Sequence, residues 1–243
     1  MDAHVRRNVR RVVVEPQDFP RAAAQRIAEA VRAAARARGT CHLALTGGDT
    51  PGPVYEQLSR DDSVPWPRVE IWFGDERAVE PDARESNYRL ARDTLLSRVP
   101  IPGPQVHRME AERPDRVTAA REYAAMLPER LDVLLLGVGP DGHIASLFPG
   151  RSALAPDAPP VLAVEGPKPP KRRMTIGPDV IGRARETLVL VAGTAKAGAV
   201  RAALEEEGPA FECPARLVRG GCWIIDTAAA AFLGESSSPT SAR

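Results

Sequence analysis

The chain has 243 residues, enough for one sizeable α/β domain or two small ones, and we expect a single domain. Its 33 Lys and Arg residues balance 32 Asp and Glu residues, and the formal net charge is +1. No overall field therefore favours nucleic acid or an anionic membrane, so any anion site must be local. Three cysteines without paired spacing argue against a disulfide framework and a zinc site. With no secretory or membrane-spanning segment near the start, we expect a cytoplasmic protein.

Apolar runs of strand length alternate with longer amphipathic stretches, which is typical of a mainly parallel sheet with helices on both faces. Asp18, Ser86 and Thr194 are the expected helix caps. In chain order the pattern predicts a strand at 9–14, a helix at 18–38, a strand at 42–46, a helix at 52–59, a strand at 69–73, helices at 86–98 and 115–130, a strand at 132–136, a weaker strand at 161–165, a strand at 186–191, a helix at 194–206, a strand at 222–225 and a helix at 226–233.

Two segments depart from this alternation. Residues 149–172 hold seven prolines, and we predict a long surface excursion there. Residues 235–243 are too polar to bury anything and are predicted to form a disordered tail. The predicted α/β domain therefore spans residues 1–234.

Three loops that leave predicted strands carry unusual residues, and ligands collect at the carboxyl ends of strands in open α/β sheets. The first loop is Thr46-Gly-Gly-Asp-Thr-Pro51. Its glycines permit close backbone approach, and free N–H groups at the start of a helix bind phosphate. A tight turn with an Asp or Thr cap explains the same residues, and the loop lacks the Walker A pattern.

The second loop, Gly74-Asp-Glu-Arg77, places three consecutive charges after an apolar strand, ahead of Ser86-Asn87 at a helix start. Arg77 can engage a phosphate or carboxylate through two hydrogen bonds. Either acid can orient Arg77 or contact sugar hydroxyls. The alternative is a solvated turn with a local ion pair.

The third loop begins Gly137-Val-Gly-Pro-Asp-Gly142 and formally contains G-x-G-x-x-G. A dinucleotide-binding loop needs a helix after the glycines, but barely one turn fits here before Pro149. An acid in the glycine loop would also sit poorly beside a pyrophosphate. We therefore reject a nicotinamide cofactor and expect no cofactor.

His143 in this loop is the predicted general base, because a near-neutral imidazole can take a proton from water. Asp141, two residues earlier, can fix its tautomer. A lone histidine is more often structural than catalytic, but this one is flanked by glycines at the carboxyl end of a strand. His4, His42 and His107 share no sequence motif with a carboxylate.

Taken together, the three loops closely resemble those of the 6-phosphogluconolactonase family. The resemblance includes Arg173-Met-Thr175 and Gly193-Thr-Ala-Lys196 and runs in order from about residue 10 to 233. It implies a modified Rossmann-like fold and a metal-free cytoplasmic hydrolase of the oxidative pentose phosphate pathway. The implied substrate is a phosphosugar lactone, 6-phosphoglucono-δ-lactone, and no nucleic acid or membrane partner is implied. We expect a monomer by default.

The resemblance implies that His143 is the general base and that Asp141 orients it. Only three residues of the chain are lysines, Lys168, Lys171 and Lys196, and Lys196 suits a point-charge clamp. The chain departs from the family pattern at Ile144, where many members have Thr, and in the glycine loop, where they have Ser. The residues that the resemblance assigns to the substrate's phosphate or to the developing oxyanion are Gly47, Gly48, Asp49, Thr50, Arg77, Arg173 and Lys196. Asp75 is a further predicted substrate-binding residue.

Two alternatives remain open. Glucosamine-6-phosphate deaminases share a similar fold and an Asp-Gly-His loop, but their pattern has Tyr after Asp-Glu and an acid five residues past the His. This chain has Arg77 and Phe148 at those places. The other alternative is a non-catalytic phosphosugar sensor, although no helix-turn-helix or basic arm precedes residue 10.

Overall fold

The structure is a computed structural model that describes residues 10–234, so the predicted tail lies outside the described residues. Among these residues the strands are β1 (Arg10–Val14), β2 (Cys41–Leu45), β3 (Val69–Phe73), β4 (Asp75–Arg77), β5 (Val133–Gly137), β6 (Val161–Glu165), β7 (Arg172–Ile176), β8 (Glu186–Val191) and β9 (Cys222–Asp226). The α-helices are α1 (Phe19–Arg38), α2 (Pro51–Leu58), α3 (Asn87–Thr94), α4 (Arg116–Met126), α5 (Pro178–Arg183) and α6 (Ala197–Leu204).

Six strands form one parallel sheet in the order β1-β9-β8-β5-β2-β3. The central strand β5 is apolar apart from its last residue, and Leu134, Leu135 and Leu136 are fully buried, as expected for a strand covered on both faces. Helix α1 turns one alanine-rich face inward and packs against α2 and the sheet. The mainly parallel α/β sheet and its six predicted strands are confirmed. None of the helices within residues 10–234 is both long enough and apolar enough to cross a bilayer.

Three further strands form a small antiparallel sheet in the order β4-β7-β6. The weaker predicted strand at 161–165 is confirmed as β6, but the surface excursion predicted for 149–172 is wrong over this stretch. Val161 is buried, and Met174 and Ile176 on the neighbouring β7 are fully buried. The proline content of this segment predicted a loop, but whether a segment forms a strand also depends on the partner strands with which it pairs.

The helix predicted at 226–233 is also wrong, because the chain there forms a series of turns. Asp226 ends β9, and its carboxylate accepts hydrogen bonds from the N–H groups of Ala229 and Gly193. An Asp side chain that binds nearby backbone N–H groups competes with helix formation. The short helix α5 was not predicted.

Only one of the three expected caps forms. The Ser86 hydroxyl accepts a hydrogen bond from the Arg89 N–H at 3.1 Å and caps α3. The Asp18 carboxylate instead accepts from the Arg21 guanidinium at 2.7 Å, and Thr194 lies within a short 3₁₀ turn without a capping bond. Cap propensity alone therefore did not decide where α1 and α6 begin.

Two buried tyrosines hold the ends of β2 and β3, from which the first two loops leave. The Tyr55 hydroxyl accepts from the Thr46 N–H at 2.9 Å and donates to the Thr46 carbonyl at 2.7 Å. The Tyr123 hydroxyl accepts from the Phe73 N–H at 2.9 Å. Burial raises the pKa of both phenols, so they stay protonated and able to donate.

Replacing Tyr55 with Phe tests this support. The Tyr55→Phe variant leaves the backbone groups of Thr46 buried without their partner, and we expect the free energy of unfolding in urea to fall by about 1–3 kcal/mol. Tyr88→Phe is the matched control, because Tyr88 is half-buried and supports no strand end among residues 10–234. An equal loss in both variants would contradict the assigned role.

Candidate active site

The loop after β5 folds back on itself and brings His143 against Asp141. The Gly139 N–H donates to the His143 carbonyl at 2.8 Å, and the Gly142 N–H donates to the Gly139 carbonyl at 3.0 Å. Gly142 adopts a φ of +82°, which favours glycine. A Cβ atom on Gly139 would lie 2.0 Å from His143 Nδ1, so the imidazole occupies its position only because residue 139 has no side chain.

This fold places His143 Nδ1 2.5 Å from Asp141 Oδ1. The hydrogen bond from His143 lowers the pKa of Asp141 from 3.8 to about 2, so the carboxylate is ionised at neutral pH. An ionised carboxylate only accepts hydrogen bonds, and Nδ1 must therefore carry the proton. In the neutral imidazole this leaves Nε2 as the basic nitrogen.

The antiparallel pairing of β4 with β7 places Arg77 directly opposite Arg173, on the same face of the small sheet. Burial and the neighbouring Arg77 charge lower the pKa of Arg173, whose side chain is almost buried. The Arg77 Nε atom is buried and has no hydrogen-bond partner among the described residues. Two adjacent guanidinium groups with donors to spare are suited to bind an anion.

Phe148 contacts both Arg173 and His143. The centroid of the Phe148 ring lies 4.8 Å from the centroid of the His143 ring and 5.6 Å from the Arg173 Cζ atom. Gly166 packs closely against both side chains: a Cβ atom on it would lie 3.0 Å from Phe148 Cζ and 2.9 Å from Arg173 Nε. The β5 loop and β7 therefore meet through one aromatic ring.

Lys196, just after β8, joins the same edge of the sheet. Burial lowers the pKa of Lys196, while the negative charges of Asp141 and Asp49 oppose that shift. Because β8, β5 and β2 are adjacent parallel strands, the loops that leave their carboxyl ends lie at the same edge of the sheet.

The glycine loop presents its backbone to solvent at the start of α2. Gly48 has a φ of +91°, and Asp49 is exposed. The N–H groups of Gly48, Asp49 and Thr50 donate to no group within residues 10–234. Unpaired N–H groups at a helix start favour an anion.

Asp75 is a buried residue whose carboxylate binds neighbouring side chains. Its carboxylate accepts from the Ser146 hydroxyl at 2.6 Å and from the Asn87 side chain at 3.2 Å, and the residue is 5 % exposed. Asn87 in turn packs onto Gly47, where an added Cβ would lie 1.8 Å from the Asn87 Oδ1 atom. Asp75 and Gly47 thus connect the three loops through buried hydrogen bonds and packing.

Ser146 reaches Asp75 through a tight turn. The Leu147 N–H donates to the Ile144 carbonyl at 2.9 Å, and Ala145 has a φ of +48°, a strained value for a residue with a Cβ. The turn buries the Ile144 side chain and points the Ser146 hydroxyl into the polar network. Sequence reasoning quoted these residues as part of a motif but did not assign them this role.

Glu76 stabilises α3 and is not directed at a ligand. Its carboxylate accepts from the N–H groups of Arg77, Asn87 and Tyr88, each at 2.8 Å. Burial raises its pKa despite these hydrogen bonds. Of the two acids in this loop, Glu76 therefore serves the fold.

A second histidine–carboxylate pair, which sequence reasoning missed, lies along β3. His107 Nε2 lies 2.7 Å from Glu70 Oε2, and its ring stacks on Trp72 with the ring centroids 4.0 Å apart. The two partners are 37 residues apart, so no local motif reveals them. Because the His107 N–H binds the Ile71 carbonyl within β3, this pair is not in the loops at the carboxyl ends. Within residues 10–234 no group of three or more His, Cys, Asp or Glu side chains is arranged to hold a metal ion.

The parallel sheet and the loop after its central strand define an α/β protein with a histidine–aspartate pair at the carboxyl end of β5. Residues 14–225 match the family described as glucosamine-6-phosphate isomerases/6-phosphogluconolactonase, and the chain belongs to this family. The family resemblance inferred from the sequence is thereby confirmed.

The chain is similar both to 6-phosphogluconolactonases and to a glucosamine-6-phosphate deaminase. The 6-phosphogluconolactonase of Mycobacterium tuberculosis is 38% identical over 229 residues, which cover 87% of this chain and 93% of that protein. The solved structure of 6-phosphogluconolactonase from Trypanosoma brucei has a TM-score of 0.79 at 28% identity and covers 93% of this chain and 99% of that one. A monomeric glucosamine-6-phosphate deaminase has a TM-score of 0.79 at 22% identity over 91% of this chain and 99% of its own, which shows a shared fold.

The hydrogen bond between His143 and Asp141 predicts a measurable titration. We expect carboxyl-carbon NMR to give a pKa of about 2 for Asp141 and, in His143→Ala, a value close to the ordinary 3.8. The bond stabilises the fold above the ordinary pKa, and this contribution is lost as the pH falls through about 2. Asp115 is the internal control, because its pKa is lowered by Thr118 and not by His143. An unchanged Asp141 titration in the variant would rule out the assigned cause.

Proposed function

We propose that the chain hydrolyses 6-phospho-D-glucono-1,5-lactone to 6-phospho-D-gluconate, with His143 as the general base. The observation that carries the proposal is the His143–Asp141 pair, held at the carboxyl end of β5 among cationic side chains. Relatives named 6-phosphogluconolactonase, which match most of the chain, support the same substrate. The reaction belongs to the oxidative pentose phosphate pathway.

His143 acts on the attacking water. With Nδ1–H bound to Asp141, its Nε2 atom takes a proton as the water oxygen attacks the lactone carbonyl carbon. The tetrahedral intermediate then breaks the ring C–O bond, and the proton passes to the departing ring oxygen. A positioned base of this kind contributes about 10²–10⁴-fold to the rate. His143 carries the whole proton transfer, and the proposal requires no metal or cofactor.

Cationic side chains and backbone N–H groups bind the two negative parts of the substrate. Lys196, Arg77 and Arg173 face the phosphate or the developing oxyanion, together with the N–H groups of the 47–50 loop. One oxyanion donor typically contributes about 10²–10³-fold. Asp75 supports these groups through its hydrogen bonds with Ser146 and Asn87.

Two observations favour lactone hydrolysis over deamination. The ring that packs on His143 is Phe148, which has no proton to give or take, so within residues 10–234 Asp141 is the one acidic partner of the histidine. Residue 77 is an arginine whose charge joins that of Arg173. Hydrolysis of a lactone needs one base and stabilised negative charge, and these residues supply both.

The first experiment offers the purified protein both phosphosugars. We expect acid release from fresh 6-phosphogluconolactone above the spontaneous rate, and no ammonia release from glucosamine 6-phosphate. Ammonia release without acid release would assign the chain to deamination. Binding of either sugar without any turnover would support a sensor.

The second experiment removes the base. In His143→Ala we expect kcat for the lactone to fall by about 10²–10⁴-fold with a much smaller change in KM, because the imidazole acts mainly in the transition state. His107→Ala is the matched control, since it removes the other histidine paired with a carboxylate. A His143→Ala enzyme with wild-type kcat, after subtraction of the spontaneous reaction, would exclude His143 as the base.

A further inference from the structure

The segment between α6 and β9 packs across the loop that follows β5. The Ala215 N–H donates to the Gly142 carbonyl at 2.9 Å, and the Gly150 N–H donates to the Phe211 carbonyl at 2.8 Å. We call residues 209–219 the crossing segment. Its two hydrogen bonds hold the loop at two points, one on each side of the histidine.

Gly142 is the place where the crossing segment and the loop pack most closely. A Cβ atom on Gly142 would lie 2.8 Å from the Cys213 Sγ atom, and the three atoms nearest to that position all belong to Cys213. The Gly142 N–H is bound to the Gly139 carbonyl at 3.0 Å, and its carbonyl is bound to the Ala215 N–H. Both backbone groups of Gly142 are therefore fixed, and the sulfur lies where a side chain would otherwise stand.

The crossing segment is itself anchored to the last turn of α6. The Arg216 side chain is 10 % exposed, and its Nε donates to the Ala202 carbonyl at 3.1 Å. The Arg219 Nε donates to the Ala203 carbonyl at 2.6 Å. Arginines that bind the last carbonyls of a helix stabilise its C-terminal end. The segment therefore has a fixed position from which it can support the loop.

The histidine–aspartate pair needs such support, because it is partly open to solvent. The side chains of His143 and Asp141 are 27 % and 45 % exposed. An exposed pair gains little once its side chains have to be ordered, so its strength depends on the backbone that holds the two residues together. Gly142 is the one residue between them, and the side chain packed against it, Cys213, is buried.

We propose that Cys213 is a positioning residue of the hydrolase: its side chain packs against Gly142 and thereby keeps His143 within hydrogen-bonding distance of Asp141. The thiol acts by packing alone, as a small apolar group, and takes no part in proton transfer. Burial raises the pKa of Cys213, so the group stays a neutral thiol at neutral pH. The assignment rests on the proposed function, because the pair has to be positioned for catalysis only if His143 is the base.

The test uses Cys213→Ala, the conservative variant Cys213→Ser and the matched control Cys222→Ala. Cys213 and Cys222 are 5 % and 4 % exposed, but Cys222 is the first residue of β9 and lies at the edge of the sheet opposite to the carboxyl-end loops. Carboxyl-carbon NMR follows the titration of Asp141 in each protein. We expect a pKa of about 2 in the wild type and in Cys222→Ala, and a value raised towards the ordinary 3.8 in Cys213→Ala. Cys213→Ser should recover most of the difference, because its hydroxyl again fills the space beside Gly142.

Steady-state kinetics with fresh lactone give the second measurement. We expect Cys213→Ala to lower kcat about tenfold and to change KM less than about twofold, because a misplaced base affects the transition state more than substrate binding. Cys222→Ala should keep the wild-type kcat. The urea midpoints of the two alanine variants should fall by similar amounts, since each change opens the same small cavity at a buried site.

A wild-type Asp141 pKa in Cys213→Ala would overturn the assignment. An equal fall in kcat in Cys222→Ala would also overturn it, because the effect would then reflect a general loss of stability. Acid release by the wild type tests the proposed function separately. If the wild type hydrolyses the lactone while Cys213→Ala keeps the wild-type kcat and Asp141 pKa, only the Cys213 assignment fails. If the wild type releases no acid but the Asp141 pKa still rises in Cys213→Ala, the packing support stands and the hydrolase proposal fails.

Discussion

The hydrogen bond between His143 and Asp141 is the interaction on which the proposed chemistry depends. It exists because Gly139 leaves room for the imidazole and because Gly142 turns the loop back with a positive φ. The bond keeps the carboxylate ionised and thereby decides which ring nitrogen is basic. A rigid loop at the end of a buried strand then holds that nitrogen at the edge of the sheet where the other loops arrive.

The small antiparallel sheet completes the site that the parallel sheet begins. Pairing of β4 with β7 sets Arg77 opposite Arg173, and Phe148 connects that pair to the histidine. Phe148 is almost buried and contacts both His143 and Arg173, so packing joins the loop after β5 to strand β7.

The electrostatics of the site follow from which charges are paired. Glu76 binds backbone N–H groups at the start of α3, and Asp75 accepts hydrogen bonds from Ser146 and Asn87. Neither carboxylate forms an ion pair with Arg77 or Arg173 among residues 10–234, although the Asp75 charge opposes the lowering of the Arg173 pKa. The remaining acids, Asp49 and Asp141, oppose the burial effect on Lys196 without forming a close ion pair with it. The net result is a positive region suited to an anion in a chain whose overall charge is nearly zero.

The amino-acid sequence by itself determined the parallel sheet, the family and the His143–Asp141 pair, because each follows from local order: apolar strand-length runs, loop motifs, and two partners two residues apart. The tertiary structure alone decided the second sheet, the position of Phe148 against Arg173, and the His107–Glu70 pair. These contacts join residues separated by tens of positions, and strand pairing of that kind depends on partners that no local pattern contains. The same reason explains the turns after Asp226, where side-chain hydrogen bonds to Ala229 and Gly193 replace the predicted helix.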